Sequence, residues 1–176
     1  MPTDETIGEV SLDWLVDIVN EYSLPTRRAA NELNADPDPI QSEGPVVATR
    51  LEVSDLINAA NAWFEVFATE SQPDQAAAAL QAMLRRAPPT VVVEGHHGEL
   101  RQRLTPDPGA DDLDRLIATG ALTLLTALTG SKPALLGTCS AERCCDVFVD
   151  RSPQRNRRFC CTRCQTRTRV SRHRAR

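Results

Sequence analysis

Two short cysteine-containing stretches decide how the C-terminal part of the chain folds: CSAERCC at residues 139–145 and FCCTRC at residues 159–164. Together they contain all six cysteines of the 176-residue chain. Close pairs of cysteine separated by a short loop suit a tetrahedral zinc ion, because each pair forms a local chelate and the loop brings the pairs together. Four thiolates leave zinc no open position for water, so the pattern predicts a structural site and not a catalytic one.

The spacing alone leaves the choice of ligands open within each stretch. One choice takes two cysteines from each: Cys139, Cys144, Cys160 and Cys164. Cys145 could replace its neighbour in the first stretch, and Cys161 could replace its neighbour in the second, since a two-residue gap is also a common chelate. A redox pair of Cys161 and Cys164 is a further alternative, although the preceding sequence lacks the βαβ pattern of thioredoxin-like proteins.

The net charge changes sign where the cysteines begin. Residues 139–176 contain eleven arginines against three acidic residues, a net charge of +8, whereas residues 1–138 carry a net charge of −12. The total of −4 is therefore the sum of two parts of opposite charge. This change predicts an acidic domain at residues 1–132 and a small basic module at residues 133–176.

Helical periodicity dominates the acidic part. The strongest pattern covers residues 53–67, where apolar residues recur at intervals of three and one. Weaker stripes predict helices at 11–21, from Pro73 to a point before Pro88, and from Asp111 to Gly130, and the apolar stripe of the last is interrupted at Gly120. The β-branched residues 90–94 and the alternating residues 99–104 predict a β-hairpin. We expect an α+β fold: a mostly helical N-terminal domain with a β-hairpin, followed by a small four-cysteine zinc finger with a basic C-terminal helix.

Several classes of function are excluded by what the sequence lacks. The chain opens with acidic residues and has no run of about 18 apolar residues, so we expect a cytoplasmic protein with no membrane segment. In that reducing compartment, a cysteine cluster favours a metal site over disulfides. No glycine-rich phosphate loop and no nucleophile motif occurs, so we expect no enzyme.

Four further segments accompany the cysteines. They are FVDRS at residues 148–152, RNRRFC at 155–160, CQTR at 164–167 and, near the start of the chain, LVDIVN at 15–20. The first three, with the Cys139 to Cys144 spacing, resemble the CGNR zinc finger family, whose Cys-Gly-Asn-Arg signature stands here as CQTR. In that family the finger follows an N-terminal ABATE domain, which the fourth segment resembles, and members are described as stress-induced transcription regulators.

The resemblance implies a ligand set and a function. Matching the finger residue by residue makes four cysteines the ligands of a structural zinc ion: Cys139, Cys144, Cys160 and Cys164. Cys145 and Cys161 then lie outside the site. The resemblance further implies a regulator whose finger binds DNA and whose N-terminal domain senses a small ligand or a protein partner.

The predicted contacts with nucleic acid come from arginine. The stretch after Cys164 is rich in arginine and has one large apolar residue, Val170, so it cannot form a buried face. As a helix it would present positive charge to phosphates and guanine edges. We predict contacts with duplex DNA from Arg155, Arg157, Arg158, Arg163, Arg167 and Arg169, with Arg167 as the candidate for reading a base. The alternatives are RNA, an acidic protein partner, or a solvated tail that the acidic domain could mask.

Overall fold

The computed structural model of this chain describes residues 10–39, 44–69, 72–96 and 98–174. Its helices are α1 (Leu12–Tyr22), α2 (Leu24–Ala30), a 3-10 helix (Val46–Arg50), α3 (Val53–Ala68), α4 (Pro73–Leu84), α5 (Asp112–Thr129) and α6 (Thr162–Arg174). Its strands form two antiparallel hairpins, β1 (Thr90–His96) with β2 (Glu99–Thr105) and β3 (Leu135–Thr138) with β4 (Val147–Asp150). This architecture confirms the predicted α+β class. None of the described helices is both long and apolar enough to cross a membrane.

Local sequence signals set where the helices begin. The Ser11 side chain accepts a hydrogen bond from the Trp14 amide at 3.1 Å, and Asp111 accepts one from the Asp114 amide at 2.8 Å, so each caps the first turn of its helix. Pro25 lies in the first turn of α2, where the missing N–H has no helical partner to lose. The proline therefore redirects the chain after α1 and starts a new helix at once.

The central helix of the core is α3, which packs against α1, α4 and α5. Its Trp63 is fully buried, and the indole Nε1 donates a hydrogen bond to the Ile117 carbonyl of α5 at 3.2 Å. Directly beneath this indole lies Gly120, where an added Cβ would be 2.3 Å from Trp63 Nε1. The apolar stripe is interrupted at Gly120, but α5 runs through this position, and the glycine allows close packing of the indole.

The first hairpin confirms the sequence prediction and extends it slightly at both strands. Its register runs from Thr90 opposite Thr105 to His96 opposite Glu99. Four apolar side chains of this hairpin are exposed: Val91, Val93, Leu100 and Leu104.

The second hairpin connects the acidic part with the basic part. In it Leu135 lies opposite Asp150 and Thr138 lies opposite Val147, and the hairpin packs against α1 and α3. Leu136, Val147 and Val149 belong to the same hydrophobic core as the helices. The main core therefore crosses the boundary between residues 132 and 133, and the division of the chain into two domains there stays a prediction.

Candidate metal centre and nucleic-acid interface

Four thiols meet at one point beyond the second hairpin. They belong to Cys139, Cys144, Cys160 and Cys164, and their sulfur atoms all lie within 4.8 Å of one another. The Sγ atom of Cys160 is 3.7 Å from those of both Cys144 and Cys164. A tetrahedron with metal–sulfur bonds of about 2.3 Å has edges of about 3.8 Å, so these four sulfur atoms are positioned to bind a metal ion.

Three different elements bring the four cysteines together. Cys139 directly follows β3, and its amide donates to the Asp146 carbonyl at 2.8 Å, which closes the turn that holds Cys144. Within this turn Arg143 adopts a positive φ of 60°. Cys160 lies in the loop before α6, and Cys164 is the buried residue of that helix.

The adjacent cysteines lie outside the group of four. Cys161 is exposed, and its Sγ lies 3.8 Å from Cys160 Sγ. A hydrogen bond from the Cys164 backbone N–H lowers the pKa of the Cys161 thiol. Cys145 is half-buried and does not join the cluster. Of the ligand sets left open by the spacing, the geometry therefore supports the one that the family resemblance implied.

Three of the four clustered thiols favour the protonated form when no metal ion is bound. Burial raises the pKa of the Cys144, Cys160 and Cys164 thiols, and the Asp146 carboxylate reinforces this effect at the first two. At Cys139 burial opposes ionisation, but hydrogen bonds from the backbone N–H groups of Cys160 and Ala141 bring the thiol pKa below its ordinary value. Because metal ligation requires thiolates, binding of the metal releases protons from this cluster.

Comparison with known families covers the part of the chain that contains this cluster. Residues 136–176 match the family model of the CGNR zinc finger. The match begins within β3 and includes all four clustered cysteines. It confirms the resemblance stated from the sequence for this part of the chain, while the likeness of the preceding residues to an ABATE domain stays a prediction. No curated protein matches the chain.

One of the six arginines predicted to contact DNA, the exposed Arg157, uses its guanidinium for hydrogen bonds within the part of the chain that matches the CGNR zinc finger. Arg157 Nε donates to the Phe159 carbonyl at 2.8 Å, and its Nη2 donates to the Cys160 carbonyl. The guanidinium carbon lies 4.9 Å from the centroid of the Phe148 ring, a cation–π contact. Arg157 thus fixes the backbone that carries Cys160. This role could not be predicted, because nothing in the arginine pattern distinguishes Arg157 from its neighbours.

Asp150 fixes the other end of the same loop. Its Oδ1 accepts a hydrogen bond from the Ser152 amide at 2.8 Å, and its Oδ2 accepts one from the Arg157 amide at 2.8 Å. Hydrogen bonding from Ser152, followed by that from Arg157, holds the pKa of this carboxyl below its ordinary value. The loop from β4 to Cys160 is therefore ordered by a charged acceptor that remains ionised at neutral pH.

Helix α6 presents arginine on both of its flanks. Cys164 marks the side that faces the finger. At about 100° per residue, one flank carries a row of three exposed arginines, Arg163, Arg167 and Arg174. The opposite flank carries Arg169 and Arg172, also exposed. Between the two rows, on the outward side, lie Thr166, Val170 and His173.

Arg167 also contacts one of the four clustered thiols. Its Nη2 lies 3.6 Å from Cys164 Sγ, so the guanidinium places positive charge beside a thiol that becomes a thiolate on metal binding. In the family signature this arginine stands three residues after the cysteine, and one helical turn brings the two side chains together. The two replaced signature residues, Gln165 and Thr166, are both exposed.

The remaining two predicted arginines lie in the loop before α6. Arg158 lines a recess of about 400 Å³ that also contains Arg157, Thr162 and Gln165, next to the N-terminus of α6. The Arg155 guanidinium does not line this recess. Its Nη2 donates a hydrogen bond to the Pro133 carbonyl at 2.6 Å. The structure therefore places Arg158 beside the helix and directs the Arg155 guanidinium towards the segment before β3.

Proposed function

We propose that this protein is a non-enzymatic, cytoplasmic transcription regulator whose zinc-stabilised CGNR finger binds duplex DNA. The observation that carries the proposal is α6: a metal ligand in its first turn anchors it, and two rows of arginine flank an outward ridge along it. The N-terminal part would sense a small ligand or a protein partner. The family resemblance supports a role in stress-induced regulation.

The metal in the proposal is zinc. Four cysteine sulfur atoms with separations near those of a zinc–thiolate tetrahedron support it, as does the match to a zinc finger family. Four protein ligands leave no position for a reactive water. Zinc would therefore hold the loop and α6 in place and take no part in chemistry.

The arrangement of side chains on α6 suits a major groove. The groove is about 12 Å wide and admits one α-helix. With the ridge of Thr166, Val170 and His173 facing the bases, the two arginine rows would reach phosphates on opposite strands. This placement favours a phosphate contact for Arg167 over the base contact expected from the sequence.

Duplex DNA is favoured over RNA by the same features. The major groove of A-form RNA is too deep and narrow for side chains on a helix to read, and aromatic side chains are a common platform for the unstacked bases of single-stranded RNA. Apart from His173, α6 carries no aromatic side chain. The recess beside Arg158 adds a second positive surface next to the helix N-terminus, where backbone N–H groups favour a phosphate.

The test is a titration of the zinc-loaded full chain with three labelled ligands: a random DNA duplex of about 20 base pairs, the corresponding single-stranded RNA, and a polyglutamate peptide. We expect the duplex to bind at least about tenfold more tightly than either competitor. Arg163→Gln and Arg169→Gln, one from each row, should weaken duplex binding, whereas Arg85→Gln, which removes an exposed arginine from the end of α4, should not. If RNA bound more tightly than the duplex, the finger would be an RNA-binding module. If polyglutamate did so, its partner would be an acidic protein.

The ridge has its own test on a selected DNA sequence. Thr166→Ala and His173→Ala should weaken binding to the selected site by about 1–3 kcal/mol and leave binding to random duplex unchanged. Arg167→Gln should weaken both equally, as expected of a phosphate contact. If Arg167→Gln weakened binding to the selected site only, Arg167 would be a residue that reads a base.

A further inference from the structure

A cavity of about 550 Å³ lies where α3, α4, α5 and β3 meet. This volume is within the range of protein sites for small molecules, about 300–1,000 Å³. The cavity lies outside the metal cluster, and none of the side chains proposed to contact DNA lines it. It is therefore a separate feature of the molecule that the DNA-binding proposal does not use.

The lining of the cavity is mainly aliphatic. Side chains from all four elements contribute, among them Val66, Leu80, Leu84, Leu125, Leu128 and Leu136. The polar members are Thr69, Gln72, Gln81 and Thr129. No described residue of the lining carries a charge. Burying an ionic group here would cost its hydration without a compensating ion pair, so the lining selects a neutral occupant.

Thr69 and Thr129 determine which kind of polar group a ligand can place beside them. Thr69 Oγ1 donates its hydrogen to the Val66 carbonyl at 2.7 Å, and Thr129 Oγ1 donates to the Leu125 carbonyl at 2.8 Å. Both hydroxyl oxygens therefore have only acceptor capacity left for a ligand. A ligand hydroxyl or amine N–H beside either threonine could donate to it, while the rest of the molecule packs on leucine.

A small molecule fits this lining better than a peptide does. Each residue of a bound peptide brings a backbone N–H and a carbonyl that need partners once they leave water. Four polar side chains on a wall of aliphatic groups cannot satisfy a chain of such groups. Water in the cavity has equally few partners, and an apolar group that replaces poorly held water gains affinity.

The position of the cavity connects it with the finger. Leu135 and Leu136 belong to β3, which pairs with β4 and immediately precedes the first metal ligand. Helix α4 contributes another part of the wall. An occupant would therefore touch both the helical part and the first strand of the finger.

We infer that this cavity binds a small, neutral, largely apolar molecule that carries a hydrogen-bond donor. That this molecule is the ligand sensed by the regulator rests on the proposed function, but the binding of the molecule to the cavity does not. Since binding can be measured without DNA, loss of DNA binding and loss of ligand binding are separate outcomes.

The experiment uses the zinc-loaded full chain and the neutral fluorescent probe N-phenyl-1-naphthylamine. Three neighbouring alanines of α4 provide matched variants: Ala76 and Ala77 line the cavity, whereas Ala78 is exposed and does not. Ala76→Phe and Ala77→Phe fill the space and should each weaken probe binding by about tenfold or more, while Ala78→Phe should bind as the wild type does. Because Ala77 is exposed, its substitution tests the site even if Ala76→Phe disturbs folding.

A second probe tests the selection for a neutral ligand. 8-Anilinonaphthalene-1-sulfonate has the same ring skeleton with an added sulfonate, and we expect its binding at the cavity to be about tenfold weaker or more. Equal probe binding by the wild type and both filled variants, or no binding by the wild type, would overturn the inferred site. Equal binding of the two probes, with both sensitive to Ala77→Phe, would overturn the requirement for a neutral ligand.

Discussion

Asn20 in α1 and Val147 in β4 exchange two hydrogen bonds, although 127 residues separate them in the chain. Asn20 Nδ2 donates to the Val147 carbonyl at 3.1 Å, and the Val147 amide donates to Asn20 Oδ1 at 2.7 Å. The side-chain amide thus pairs with β4 as a residue of a neighbouring strand would. The hairpin of β3 and β4 is therefore fixed to the helical part by a specific polar contact as well as by apolar packing.

Replacing Asn20 with alanine should destabilise the protein. The substitution leaves the N–H and carbonyl of Val147 without their partners at a partly buried position, so we expect the free energy of unfolding to fall by about 1–3 kcal/mol. Urea unfolding of the zinc-loaded full chain measures this change. Asn58→Ala, at an exposed position of α3, is the control and should change stability by less than about 0.5 kcal/mol. Equal effects of the two substitutions would show that the contact contributes nothing.

Single serine variants distinguish the metal ligands from their neighbours. Cys160→Ser should lose most of the bound zinc, because Cys160 Sγ lies within 3.7 Å of two other ligand sulfur atoms. Cys161→Ser and Cys145→Ser should retain one zinc ion per chain. Metal analysis after gel filtration measures the content. Retention by Cys160→Ser with loss by Cys161→Ser would mean that the neighbouring thiol is the ligand.

Removal of the metal should unfold only the region around the cluster. The small core there consists of Cys139, Ala141 and Cys164, with partly buried Cys144, Cys160 and Phe159 around it. Structural zinc contributes about 10–16 kcal/mol in small fingers, far more than this core can supply. With a chelator, amide hydrogen exchange should increase strongly in α6 and remain slow in α3 and α5. Unchanged protection of α6 without metal would contradict a structural role for zinc.

Gly120→Ala should be destabilising in spite of the higher helix propensity of alanine. The new Cβ would lie 2.3 Å from Trp63 Nε1, and neither the buried indole nor the helix backbone can move away freely. We expect a loss of about 1–3 kcal/mol in the free energy of unfolding. Gly95→Ala in β1, with no atom within 4 Å of the added Cβ, provides the control in a thermal unfolding series. If both variants had the same midpoint as the wild type, the indole would not be packed as described.

Periodicity predicted the main helices because their apolar stripes are long. Residues 53–67 were expected to be helical, and α3 covers Val53–Ala68. The hairpin at 90–105 was also predicted, since β-branched and alternating residues mark its strands. The strands β3 and β4 were not predicted. Each has four residues, too few for a periodic signal, and their place in the structure depends on packing against α1 and α3.

The metal cluster was more predictable than the arginine surface. Thiol spacing restricts which cysteines can chelate, and the family resemblance reduced the choice to the four that the fold brings together. Arginines carry no such constraint. Nothing in the sequence distinguishes Arg157 from Arg169. In the structure, however, Arg157 donates hydrogen bonds to backbone carbonyls of its own loop, whereas Arg169 projects from a flank of α6. Helix phase and loop geometry determine this difference, and both require the folded structure.

The most direct test of DNA binding is the salt dependence of the affinity of the zinc-loaded full chain for random duplex DNA. If the two arginine rows of α6 and Arg158 neutralise about four to six phosphates, a plot of log K against log salt concentration should have a slope of about −4 to −5. Arg163→Gln should make the slope less steep by about one, and Arg85→Gln should leave it unchanged. A slope near zero, or no binding to duplex at low salt, would contradict the proposal that this finger binds DNA.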